Sequence, residues 1–135
     1  MLTTAPSRAD VLAWARDIYE TGVDRKDARK FASGFTKDAW LRFGNNPRLE
    51  GRAAIEAAIA QFFTAMIDLS HTSKGAFMDG DTLFLEADVT YTRHDRQKVT
   101  VPAMTVFHLA GTGADGKPVA DNCRIFVDLA PLFAP

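Results

Sequence analysis

Apolar residues recur at helical spacing through the first half of the chain. Val11, Trp14, Ala15, Ile18, Tyr19 and Gly22 share one stripe, which predicts an amphipathic helix over about 8–21. Ser7, with Asp10 three positions later, is a capping-box-like start for it. A short second helix is predicted over about 27–33, with Ala28, Phe31 and Ala32 inward and Gly34 as its stop. Residues 39–43 alternate as a strand does, and Gly44-Asn45-Asn46-Pro47 ends them with turn chemistry. A third helix follows Gly51 and carries Ile55, Ile59, Phe62, Phe63 and Met66 on one stripe. Small Ala54, Ala57 and Ala58 let a neighbour pack closely against it.

Beyond Met66 the period changes to that of strands. Segments at about 69–78, 82–93, 98–110 and 119–129 are rich in Val, Thr, Phe and Tyr. Asp79-Gly80-Asp81 is a tight hairpin signal, and 93–98 is a polar second turn. A looser third turn runs from Gly111 to Pro118. Helices first and a meander of long strands afterwards predict an α+β fold, with helices on one face of an antiparallel sheet.

Composition narrows the function classes. The 135 residues form one expected domain, 1–135, with 47% hydrophobic and 24% charged residues. Sixteen basic and seventeen acidic side chains leave a formal charge of -1, which provides no electrostatic attraction to nucleic acid or to an anionic membrane. One cysteine, Cys123, excludes an internal disulfide and a zinc site built on paired cysteines. The three histidines lack metal-ligand spacing, and no glycine-rich phosphate loop is present. Met1 to Arg8 lacks a basic start followed by an apolar stretch, and no apolar run approaches the ~20 residues of a membrane span. The expected location is cytoplasmic.

Five stretches carry a resemblance. They are Phe35-Thr36-Lys37-Asp38-Ala39, Gly44-Asn45-Asn46-Pro47, Gly51-Arg52-Ala53-Ala54-Ile55, Val89-Thr90-Tyr91-Thr92-Arg93 and Arg124-Ile125-Phe126-Val127-Asp128. In their order and spacing the chain resembles the SnoaL-like (polyketide cyclase-like) branch of the nuclear transport factor 2-like superfamily. The resemblance implies a cone-shaped curved antiparallel sheet with three N-terminal helices enclosing an apolar pocket. It also implies a homodimer, formed through the other sheet face. It does not choose the chemistry, because the superfamily holds isomerases, cyclases, hydrolases, dehydratases and members without known activity.

Residue by residue, the family chemistries fit unequally. Tyr19 falls at the oxyanion-binding tyrosine of ketosteroid isomerases, but their base position falls at Phe43 and their second aspartate near Met104 or Thr105. Phe43 takes no proton. Alignment through Val106-Phe107 to limonene-type epoxide hydrolases leaves Asp88 at one aspartate, while Glu86 stands at the arginine and Ile125 near the other aspartate. Scytalone-type dehydratases need a histidine pair with an aspartate, and only His71 is placed for it. A SnoaL-like cyclase needs one pocket acid and no metal or cofactor, a demand Asp88 can meet. A carboxyl among apolar walls holds its proton more tightly, which suits transfer near neutrality.

The expected site therefore has Asp88 as the proton-transfer group and His71 as its partner, with Tyr19 and Asn45 holding substrate oxygens. Glu86, Trp14 and Phe43 complete the expected lining. Each has a plainer reading: His71 a satisfied structural histidine, Asn45 a turn residue, Trp14 and Phe43 core. Strand alternation puts Glu86 and Asp88 opposite the apolar Leu85, Ala87 and Val89, towards solvent or a partner, whereas the epoxide-hydrolase alignment puts both in the cavity. Arg124 and Asp128 share a face and are read as an inter-strand or dimer ion pair. The functional expectation is a small-molecule-binding protein performing cofactor-independent cyclase, isomerase or hydrolase chemistry on a small hydrophobic substrate. The alternative is a non-catalytic ligand-binding or accessory dimeric protein.

Overall fold

The structure, a computed structural model, describes residues 5–135; Met1 to Thr4, part of the stretch read as lacking a secretory signal, lie outside the described residues. Helix α1 spans Arg8–Asp17, and Ser7 Oγ accepts the Asp10 N–H at 3.1 Å as its cap. The apolar stripe continues to Gly22, but the helix changes form. Ile18–Gly22 is a π-helical turn and Val23–Arg25 a 3-10 turn. Helix α2, Ala28–Ala32, is capped by Asp27, which accepts the Lys30 N–H at 3.0 Å. Gly22 lies against α2, where an added Cβ would stand 3.1 Å from Lys30 Cγ and 3.4 Å from the Phe31 nitrogen. Strand β1, Phe35–Phe43, begins earlier than the alternation signalled. The two-residue β2, Leu49–Glu50, precedes α3, Arg52–Phe62, whose last turn, Phe63–Ala65, tightens to 3-10.

Strands β3 (Asp68–Asp79), β4 (Thr82–Thr92), β5 (Lys98–Thr112) and β6 (Pro118–Val127) form the expected antiparallel meander. Gly80 takes the left-handed backbone (φ 58°) that the tight β3–β4 hairpin needs. At the β4–β5 turn the same conformation falls on Arg96 (φ 71°), an L side chain in a glycine geometry. The short helix α4, Ala130–Phe133, closes the described chain.

The sheet order is β2-β1-β6-β5-β4-β3. One pairing corrects the all-antiparallel expectation: β1 runs parallel to β6, so the curved sheet is mixed. The reason is connectivity. Strands β3 to β5 of the meander lie between these two in the chain, so the two are joined by a long crossover and not by a hairpin. The Gly34 carbonyl accepts the Ala120 N–H at 2.8 Å where the two strands come together.

The register sets rows of side chains across the concave face. Leu83, Phe107, Cys123 and Leu41 are successive cross-strand partners, and all four are buried. Trp14 seals this row from above, 5.3 Å edge-to-face from Phe107, and Phe35 lies 6.0 Å from the same ring. Burying a side chain of that size stabilises by about 1.5–3 kcal/mol. Among the described residues, no helix is long and apolar enough to cross a membrane.

Candidate functional site

Two register steps from the filled row the concave face opens. Ser73, Ala87, Ala103 and Val127 are successive partners there, and three of the four are small. Over them lies a cavity of about 310 Å³, roofed by Leu12, Ala15, Arg16, Tyr19, Glu20 and Asp24. A second chamber of about 40 Å³ adjoins it on the side of α3. Its walls are apolar, with Phe43, Ile59, Phe62, Phe63, Val89 and Tyr91 among them. Tyr19, His71, Ala103 and Thr105 line both chambers.

His71 is held by Asp24. Its Nδ1 lies 2.6 Å from Asp24 Oδ1, and its backbone N–H donates to Oδ2 at 3.2 Å. Both side chains are largely withdrawn from solvent, at 18% and 19% exposure. A carboxylate only accepts, so Nδ1 carries the proton of the pair, which leaves Nε2 as the nitrogen that can accept when the ring is neutral. The local chain explains the placement. The π turn carries Tyr19 and leads into the 3-10 turn that bears Asp24. Lys26, in left-handed backbone (φ 58°), ends that turn. Its Nζ donates to the Met66 and Ile67 carbonyls, at 3.0 and 3.2 Å, immediately before β3. This clamp joins the turn bearing Asp24 to the start of the strand bearing His71.

Tyr19 stacks obliquely on His71, with ring centroids 4.7 Å apart, and donates its hydroxyl to Thr105 Oγ1 at 3.1 Å. Thr105 is the one buried polar side chain of the core among the described residues. Having accepted from Tyr19, it keeps its own proton to donate. Burial, more than any neighbour, pushes the Tyr19 phenol well above the ordinary tyrosine range, so it remains a neutral donor. Burial also raises the Cys123 thiol, which removes it as a nucleophile near neutrality.

The expected residues divide. Tyr19, His71, Phe43 and Glu86 line the cavities. Phe43 packs on Phe62 at 4.9 Å, and Glu86 stands at the exposed rim. Trp14 is core on the filled row. Asn45 is exposed in the turn after β1 and lines neither chamber. The expected pairing of His71 with Asp88 is not what the structure shows. Asp88 points away from the helices while Ala87 and Val89 point in, and it lies 3.3 Å from Lys74 Nζ. A bulge between Ser73 and Gly75 leaves Lys74 without a register partner and brings its ammonium to Asp88. Glu86 and Asp88, two apart on a strand that pairs with β5 without a register shift, share the outer face, and Glu86 also borders the cavity. Arg124 does not meet Asp128: it stands over the Phe126 ring at 5.9 Å, and Asp128 Oδ1 accepts the Ala130 N–H at 3.0 Å.

Asp24 was absent from the expected site. It sits 47 residues from His71, and no spacing rule links a residue between two helices to the opening of a distant strand. Among the described residues, no three His, Cys, Asp or Glu side chains converge on a metal-sized site.

A curved sheet wrapped around helices over a cavity defines a nuclear transport factor 2-like fold, and solved structures show it directly. A candidate SnoaL-like polyketide cyclase from Jannaschia sp. CCS1 superposes over 100% of this chain and 99% of its own, with a TM-score of 0.76 and 20% identity. ActVI-ORFA from Streptomyces coelicolor covers 89% of this chain and 96% of its own, with a TM-score of 0.76 and 23% identity. An NTF2-like protein of unknown function from Burkholderia pseudomallei K96243 covers 93% and 98%, with a TM-score of 0.75 and 13% identity. The SnoaL-like domain model matches residues 15–119, and the chain belongs to that family. No curated protein matches it in sequence.

Proposed function

We propose that the protein binds a small, largely apolar carbonyl compound and moves a proton on it without a cofactor, His71 being the base. The observation that carries this reading is the 2.6 Å His71–Asp24 pair in the wall of a 310 Å³ cavity. Asp24 keeps the Nδ1 proton and thereby presents Nε2 as the acceptor. The Tyr19–Thr105 hydroxyl chain lies beside it and supplies a donor for an oxygen that gains negative charge. In the step envisaged, Nε2 takes a proton from the carbon next to a carbonyl. The C–H pair forms the new C=C bond, and the carbonyl pair moves to oxygen, which the Thr105 hydroxyl stabilises. The resulting enolate can close on a second carbonyl, as a cyclase requires, or regain its proton. A SnoaL-like family and a candidate polyketide cyclase among the structural neighbours support this substrate class.

The test is α-proton exchange of aryl alkyl ketones in heavy water, followed by NMR. Exchange is expected with the native protein, and His71→Gln or Asp24→Asn should slow it by about 10²–10⁴-fold. Native rates in both variants would remove His71 as the base, and no exchange above buffer would favour the non-catalytic binding protein. The homodimer belongs to the same reading. Phe77 and Phe126, 57% and 53% exposed, flank Phe84, Met104 and Val106 on the outer sheet face. A second copy covering that face would appear as a dimer in sedimentation velocity.

A further inference from the structure

We propose that the inner chamber is a subsite for a short alkyl branch borne by the substrate at its reacting carbonyl, and that Ala103 sets the branch length. The inference rests on the site assigned above and adds to it the shape of the substrate. The two chambers are not independent. Thr105 and Ala103, inward neighbours on β5, floor both of them, Tyr19 roofs both, and His71 on β3 lines both. On the β3 side of that junction lie Ser73 and Ala87; on the β6 side lie Ile125 and Val127. The base and the hydroxyl chain thus stand at the narrow point between a large space and a small one.

Size then assigns the parts. A dry cavity of about 150 Å³ accommodates benzene, and one water needs about 10–15 Å³. The 310 Å³ chamber therefore holds a ring system of one or two rings. The 40 Å³ chamber holds about one or two carbons, and its walls suit only apolar ones. A carbonyl at the junction would meet Thr105 and put the first carbon of its branch beside His71. That is the carbon whose proton the base would take. Ala103 is the smallest side chain at the junction. Two further carbons there would occupy a volume like that of the inner chamber.

The experiment is calorimetric titration of one aryl series: naphthaldehyde, acetylnaphthalene, propionylnaphthalene and hexanoylnaphthalene. Affinity should rise about fourfold per carbon from the aldehyde to the propionyl compound, as buried methylene groups do, and fall at hexanoyl. In Ala103→Val it should fall with every added carbon. Val127→Phe, which fills the chamber from the neighbouring strand β6, should act the same way and replaces Ala103→Val if that variant fails to fold by circular dichroism. A flat series, a rise that continues through hexanoyl, a rise retained in the variants, or no binding of any member would overturn the proposal. The series reads binding alone. A ladder without α-proton exchange sinks the catalytic reading and leaves the subsite, whereas exchange with a flat ladder does the reverse.

Discussion

The row Leu83–Phe107–Cys123–Leu41 and the row Ser73–Ala87–Ala103–Val127 share strands β4, β5 and β6, on the same concave face, beneath the same helical segment. The first is sealed by Trp14, and its members are at most 1% exposed. The second leaves about 310 Å³ open. On the strands they share, side-chain size separates them. Where Phe107 reaches the helices the layers close into core. Where alanine and serine stand at equivalent inward positions they cannot meet the roof, and the unfilled volume becomes the site. Close packing is the default in protein interiors, so an open row next to a filled one is a feature of the side chains chosen and not of the fold.

The most direct way to break this comparison is to exchange volume between the rows. Phe107→Ala should cost about 3–5 kcal/mol in denaturant unfolding, because the packed surroundings cannot collapse into the space. The converse, Ala87→Leu, should change stability by no more than about 1 kcal/mol, since it enters free volume, while abolishing binding of naphthyl ketones. Equal costs in the two variants would show that the rows do not differ as described.

Alkaline titration sharpens the boundary between the two regions. Tyr91 lines the inner chamber and packs edge-on against Phe62, at 6.2 Å. Burial moves its phenol from 10.0 up to about 12. The folded form thus holds the proton longer than the unfolded chain does. Stability is intact below pH 10 and falls as pH rises towards about 12, by roughly 3 kcal/mol. Tyr91→Phe should remove that part of the loss, as followed by unfolding midpoints across pH; an unchanged alkaline slope would mean the phenol is open to water.

The smallest expected effect serves as a control remote from both rows. Arg96 occupies left-handed backbone in the β4–β5 turn, and Arg96→Gly should raise stability by about 1 kcal/mol. Thermal unfolding and ketone titration measured together check it. Altered affinity would mean that the turn communicates with the cavity.

Much of the architecture was legible because it rests on local periodicity. The stripe from Val11 to Ile18, the cap at Ser7, the hairpin at Gly80 and the four meander strands follow from rules spanning a few residues. Tyr19 and Phe43 could be placed near a cavity from the apolar pattern taken with the family's pocket, whereas only the epoxide-hydrolase alignment put Glu86 there. Asp88 was the wrong partner for His71 for a local reason as well. Period-two alternation puts it with Glu86 on the outer face, where Lys74 at the bulge meets it; the epoxide-hydrolase alignment is what drew it inward. Nothing local announced the π turn, the β1–β6 pairing or Asp24.

By itself, then, the chain's pattern determined the order of helices and strands, the family likeness and the apolar character of the interior. These depend on repeats of two to four residues, which every copy of the sequence carries whatever its fold. The tertiary structure alone decided which row closes, where the cavity divides and which carboxylate holds His71. Those outcomes depend on groups far apart in the chain meeting at distances of a few ångströms. A single extra residue in a turn or strand, as in Ile18–Gly22 or at Lys74, changes which groups meet.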